Sequence, residues 1–181
     1  MEVKEYLLDS NIVIRLWERY PELLDKIDAA EGIDYKISRN IAGELSVKEY
    51  RALDGVPVLS EKFLKLLNHI IEVDTYISEQ EHENIDIIKR DPRKNIYYVN
   101  ENKLSSNDFK LLALCKRYNN YILVTEDKKI YNSAILILGQ SRVLNLEDFI
   151  LEINRELGKG EWNECISFYG IQELGSGLRC C

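Results

Sequence analysis

Four acidic residues, Asp9, Glu44, Asp108 and Asp127, stand where a chain of alternating strands and helices could use them for chemistry. Asp9 closes the apolar run EYLL, and the chain turns apolar again at IVI after only Ser10 and Asn11. Asp127 follows a second apolar run, YILVT, one residue after Glu126. Asp108 lies in the opening turn of LSSNDFKLL, and Glu44 sits inside NIAGELSV. Two ionised carboxylates about 4 Å apart repel by roughly 4 kcal/mol at an effective dielectric near 20. Carboxylates that converge therefore take up protons or hold a cation, and an all-oxygen ligand set selects a hard ion, Mg²⁺ or Mn²⁺. Such an ion suits phosphodiester hydrolysis, because it acidifies bound water, neutralises the phosphate and stabilises the leaving oxygen.

Each acid also has an ordinary reading. Asp9 before a helix is a normal N-cap, and Asp127 in TEDKK fits a solvated loop. Asp108 in a first turn gains about 0.3–1 kcal/mol from the helix dipole, although Ser105, Ser106 and Asn107 already supply capping groups and leave it surplus to that need. Glu44 fits the edge of an amphipathic helix. Zinc is disfavoured, since neither His69 nor His82 has a ligand-like neighbourhood in sequence; His69 in LLNHII reads as a core-edge histidine.

The elements that must position these groups alternate between strand and helix signals, which predicts an α/β fold with a mainly parallel sheet. EYLL, IDYKIS, YILVT and RVLNL read as strands. Helices are expected over IVIRLWERY, PELLDKIDAAEG (closed by Gly32), NIAGELSVKEYRAL (capped by Ser38), residues 61–73, residues 79–90 (broken at Asp91-Pro92), FKLLALCKRY (capped by Ser105 or Ser106), residues 129–139 and EDFILEINREL. In an open parallel sheet the carboxyl ends of all strands share one edge, where ligands bind, so topology alone brings Asp9 and Asp127 to one rim.

The chain has 181 residues, 45% hydrophobic and 30% charged. That length predicts one domain over 1–157, with a compositionally different tail over 158–181. No run approaches the roughly 20 apolar residues of a membrane span. MEVKEY is unlike an export signal, so a cytoplasmic protein is expected. The four cysteines show no metal or disulfide spacing; Cys115 reads as core, and the terminal pair Cys180-Cys181 as a tail end. A net charge of −7 argues against wrapping nucleic acid by bulk electrostatics, leaving local basic stretches to make any contact. Lys128 and Lys129 are the first choice for binding RNA phosphates, and Arg90, Arg93 and Lys94 the second.

In the order LLDSNIVIRL, IAGEL, LSSNDFKLLALC and YILVTED, the chain resembles the PIN-domain nucleases, and among them the VapC-type toxin ribonucleases, over residues 5 to about 150. The resemblance implies a three-layer αβα sandwich around a mainly parallel sheet, with Asp9, Glu44, Asp108 and Asp127 around one or two Mg²⁺ or Mn²⁺ ions. Asn11 and Thr125 match supporting positions. On that basis Asp9 and Asp108 are the principal metal ligands, and Asp127 completes the coordination. Glu44 orients or deprotonates the attacking water, or holds a second ion. The expected activity is metal-dependent endoribonuclease cleavage of RNA, with a possible antitoxin partner and a homodimer as usual in that family. The chain departs from the pattern in Lys128-Lys129-Ile130 after Asp127, in a longer polar segment over 78–103 and in the tail.

Other acid-bearing α/β proteins fit less well. A DxD phosphotransferase would need an acid where Asn11 stands, and a receiver domain would need a lysine after a late strand. Neither a GxxxxGK[ST] loop nor a GxSxG elbow occurs. The alternative from another class is a catalytically silent PIN-like metal- or protein-binding module within a larger complex.

Overall fold

The computed structural model describes residues 3–53, 56–71 and 87–158. Its central sheet has five strands, β1 (Lys4–Leu8), β2 (Ile33–Ser38), β5 (Ile70–Ile71), β9 (Tyr121–Val124) and β10 (Val143–Leu144). They lie in the order β10-β9-β1-β2-β5, and every pairing is parallel. Tyr6, Leu7 and Leu8 of the middle strand are fully buried, as a parallel sheet covered on both faces requires. From β1 the chain builds outward through β2 to β5, then returns to build the other half through β9 to β10. The strand order therefore reverses at β1 and β9, the crevice at which open α/β sheets bind ligands.

Helices α1 (Ser10–Arg19), α2 (Leu23–Asp28), α3 (Arg39–Glu49), α4 (Glu61–Leu66), α5 (Ser106–Arg117), α6 (Lys128–Leu138) and α7 (Leu146–Leu157) complete a three-layer αβα arrangement. Helix α1 packs on α3, α5 on α6 and α2 on α7. On β1, the Tyr6 ring meets the edge of Phe149 from α7, and its hydroxyl donates to Glu152 at 3.0 Å. Among the described residues no helix is long and apolar enough to cross a membrane.

Three expected helices are corrected. The helix read over 40–53 ends at Glu49, and strand β3 (Tyr50–Leu53) pairs antiparallel with β4 (Val56–Leu59). The helix read over 61–73 stops at Leu66; a 3-10 turn follows over Leu67–His69, and Ile70 and Ile71 form β5 beside Ile37 and Ser38. Two β-branched residues gain more from the open edge of β2 than from another helical turn. Of the helix read over 79–90, residues 79–86 lie outside the described residues, and its end instead belongs to strand β6 (Ile88–Asp91). That strand joins β7 (Ile96–Val99) and β8 (Asn102–Ser105) in a separate antiparallel sheet. Its inner face buries Tyr97 and Val99, and the Tyr97 ring stacks on Phe109 of α5 at 4.1 Å. The tail beyond Gly158 lies outside the described residues.

Candidate functional site

Asp9 follows the middle strand directly. Because Leu8 pairs with Val124, the next residues across β1 and β9 are Asp9 and Thr125, and the Asp9 amide donates to the Val124 carbonyl at 3.1 Å. On the other side, the pairing of Leu7 with Lys36 brings the end of β2, Ser38, alongside Asp9. The Asp9 carboxylate is therefore held from two directions. Its Oδ1 caps α1 by accepting from the Ser10 amide at 2.7 Å, and its Oδ2 accepts from the Thr125 hydroxyl at 2.9 Å. Thr125 is fully buried and its oxygen also accepts from the Asp127 amide at 3.2 Å, so one hydroxyl ties both strand-end acids together.

Asp127 caps α6 through Oδ1, which accepts from Lys129 and Ile130 at 2.8 and 3.0 Å. Asp108 is not surplus to helix capping, as its sequence context suggested. It completes a capping box with Ser105, whose side chain accepts from the Asp108 amide at 3.2 Å while Asp108 Oδ2 accepts from the Ser105 amide at 3.0 Å. Glu44 is exposed on α3, with its Oε1 3.5 Å from Asn107 Nδ2; Asn107 Oδ1 lies 3.5 Å from Asn40 Nδ2. These amides link α3 to the start of α5.

All four acids line one hollow of about 100 Å³, together with Asn11 and Ser38, and among the described residues no basic one lines it. Burial pushes the Asp9 carboxyl above its ordinary pKa; the Thr125 and Ser10 hydrogen bonds pull it back, and the charges of Asp108 and Glu44 push it up again. By residue type the hollow suits a hard dication, and its volume accommodates an ion with several waters. By spacing it is open. Among the described residues no three of His, Cys, Asp and Glu come close enough to hold a metal ion between them. The arrangement fits a hydrated ion held in part through water, as Mg²⁺ commonly is, better than a closed carboxylate cage.

Lys128 and Lys129 are exposed on the first turn of α6, outside the hollow. Lys128 borders a neighbouring open groove of about 490 Å³, lined also by Thr125, Tyr131, Asn132, Asn145 and two acids, Glu126 and Glu147. Arg90 and Arg93 lie exposed on β6 and the turn after it, and Lys94 pairs with Asp91 at 3.9 Å. His69 sits away from the hollow, next to the amino end of β2. Its ring lies 3.2 Å from both Asp28 and Asp34 and stacks on Tyr35. His82, Cys180 and Cys181 lie outside the described residues, while Cys115 is a buried free thiol.

Ser38, Asn40 and Asn107 line the hollow without having been singled out as site residues by sequence. Ser38 and Asn107 were read only as capping groups. The usable signal was position, since Ser38 ends the strand beside Asp9 and Asn107 immediately precedes Asp108.

Neither a family model nor a curated protein matches the chain. Among solved structures, it is similar to the crystal structure of PAE2754 from Pyrobaculum aerophilum, at 16% identity and a TM-score of 0.46, covering 82% of this chain and 88% of that one.

Proposed function

We propose that the chain is a PIN-like module whose hollow binds a hydrated Mg²⁺ or Mn²⁺ ion, with Asp9 as the central ligand. The observation that carries this reading is the convergence of Asp9, Glu44, Asp108 and Asp127 on one hollow, with no basic residue in its lining among the described residues, at the reversal of strand order. Burial raises Asp9 most, and a bound dication offsets that cost as well as the repulsion from Asp108 and Glu44. Thr125 and Ser10 set the orientation of the Asp9 carboxylate, and Ser105 fixes that of Asp108. The open spacing of the acids among the described residues favours ion binding over a preassembled catalytic cage.

A second reading adds turnover, making the chain an endoribonuclease and possible toxin whose antitoxin covers the acids. The adjoining groove favours it, because Tyr131, Asn132 and Asn145 offer a stacking ring and hydrogen-bonding amides to a nucleotide, with Lys128, set against Glu126 and Glu147, as the phosphate partner. In that reading the ion supplies the acidified water and charge neutralisation, and Glu44 orients or deprotonates the attacking water. Thermal melting with and without Mg²⁺ or Mn²⁺, paired with cleavage of single-stranded RNA, separates the two. A metal-induced rise in Tm that Asp9→Asn abolishes, without cleavage, supports the binding module. Cleavage lost in Asp108→Asn supports the enzyme. No metal-induced shift with either ion would overturn both.

A further inference from the structure

The chain is acidic, with a net charge of −7, yet residues 87–105 carry five basic groups (Lys89, Arg90, Arg93, Lys94, Lys103) against two acids, Asp91 and Glu101. The antiparallel register sorts these groups by face. Lys89 stands opposite Tyr98, and Tyr98 opposite Lys103, which places the three in one cross-strand row. The next row, Arg90, Tyr97 and Leu104, belongs to the inner face: Tyr97 and Leu104 are buried, and the Arg90 guanidinium lies 5.7 Å from the Tyr97 ring centroid. Side chains alternate between faces along a strand, so Lys89, Tyr98 and Lys103 point outward. Both lysines are exposed and Tyr98 is half-buried. Neither lysine makes an ion pair among the described residues. Asp91, the acid on this face, is already engaged: its Oδ1 accepts from the Arg93 and Lys94 amides, and its Oδ2 lies 3.9 Å from the Lys94 ammonium.

Strands spaced by about 4.8 Å set the two lysines roughly 10 Å apart with the tyrosine ring between them. An aromatic ring flanked by unpaired cations is the arrangement that holds a single-stranded nucleic acid, the cations on phosphates and the ring under a base. The row is also continuous with the hollow. Strand β8 ends at Ser105, which holds Asp108 in the capping box, and Asn107 beyond it lines the hollow.

We propose that the outward face of β6, β7 and β8 is a docking platform for single-stranded RNA, with Lys89 and Lys103 contacting phosphates and Tyr98 stacking on a base. The inference rests on the nucleic-acid reading of the hollow for its choice of RNA among polyanions. Its contacts, however, involve no residue of the hollow, so the two fail independently.

The experiment is fluorescence anisotropy of a labelled single-stranded oligouridylate with the full chain in EDTA, which removes any role of the metal. Lys89→Gln with Lys103→Gln is expected to weaken binding about tenfold and to reduce the slope of log K against log salt by about 1.4, or 0.7 for each phosphate contact. Tyr98→Ala is expected to weaken binding about tenfold with the slope unchanged. Circular dichroism checks that each variant is folded, and the two glutamines, which retain much of the lysine stems, provide the variant least able to disturb the sheet. An unchanged affinity and slope in the folded double variant would overturn the proposal. So would poly-glutamate competing as well as RNA at equal charge, which would assign the face to an acidic protein segment.

Discussion

The Thr125 hydroxyl donates to Asp9 Oδ2 at 2.9 Å although the two residues lie 116 positions apart in the chain. The register of two adjacent parallel strands creates this contact, since Leu8 pairs with Val124 and the next residue of each strand meets across the sheet edge. The same oxygen of Thr125 accepts from the Asp127 amide, so a single buried side chain sets the geometry of two of the four acids.

Thr125→Val preserves the shape of that side chain and removes its oxygen. The Asp127 amide then loses an acceptor and Asp9 Oδ2 a donor. A loss of about 1–2 kcal/mol in stability is expected from the unmet polar groups. Mg²⁺ or Mn²⁺ affinity should fall by roughly 10–100-fold, the usual cost of losing a partner that orients a ligand. Isothermal titration with Mn²⁺ alongside urea unfolding measures both; unchanged Mn²⁺ affinity would show that Thr125 does not orient a ligand.

Asp9→Asn separates stability from metal binding. The folded carboxyl lies above its ordinary pKa, through burial and then the charges of Asp108 and Glu44. Ionised Asp9 therefore costs stability at neutral pH, and that cost disappears as pH falls below its unfolded value. Asparagine caps a helix as well as aspartate does, so the substitution keeps the cap of α1 while removing the charge. The metal-free variant is expected to melt higher than wild type at pH 7, with the difference shrinking at low pH, and to show no shift on adding Mg²⁺. Calorimetry at several pH values tests this, and a lower Tm for the variant at pH 7 would contradict the sign.

The strands of the parallel sheet were legible because their residues are buried on both faces. EYLL and YILVT carry near-continuous apolar runs, IDYKIS alternates apolar and polar residues, and strand polarity then fixes which edge receives Asp9 and Asp127. Elements whose state depends on a partner were not legible. Ile70 and Ile71 look helical after Phe63, Leu64 and Leu67 until the free edge of β2 is known. The β6–β8 sheet was read as polar chain, although its local signals were present: the β-branched and aromatic residues of IYYV, and Asn95 and Asn100, which take positive φ at its two turns. The capping box was missed for a different reason. SSND offers two serines, and although only Ser105 stands three residues before the acid, the answering position holds Asp where the usual box has Glu or Gln.

The environment of His69 predicts a pH-dependent stability independent of the hollow. Burial alone would lower its pKa, but the hydrogen bond to Asp34 and the charge of Asp28 reverse this and hold it above the ordinary value. Asp34, despite its burial, is drawn down to about 2 by His69 and Lys36. Asp28 moves the other way, raised chiefly by burial, and offsets part of the gain. A raised histidine stabilises fully below its unfolded pKa and loses that contribution as pH rises through the folded one; a depressed aspartate stabilises above its unfolded pKa and loses that contribution near pH 2. The cluster should therefore stabilise most between about pH 4.5 and 6, by on the order of 1–2 kcal/mol after screening. Wild type is expected to be more stable, relative to His69→Gln, at pH 5.5 than at pH 8 in guanidinium titrations; a constant difference would remove the charged pairing.

Arg142 makes the last prediction, about how the end of α5 is held against β9. Its guanidinium donates to the carbonyls of Cys115, Tyr118 and Tyr121, the latter two at 2.9 and 2.8 Å through Nη2, while Nη1 lies 3.4 Å from the Asn119 side chain. These carbonyls include the closing turn of α5, where the helix dipole also favours a cation. Arg142→Ala leaves several part-buried carbonyls unmatched and is expected to cost about 2–3 kcal/mol. Arg142→Lys should recover only a minority of that, because one ammonium cannot replace the Nε donor to the Tyr121 carbonyl at 3.2 Å together with the Nη2 contacts to all three carbonyls. Because Tyr121 begins the strand that Thr125 directly follows, loosening its start should also weaken Mn²⁺ binding in the alanine variant, so that added Mn²⁺ stabilises wild type more than the variant and widens the gap between them. Urea unfolding with and without Mn²⁺ reads both effects, and full rescue by lysine would show that charge, not the fork, holds this corner.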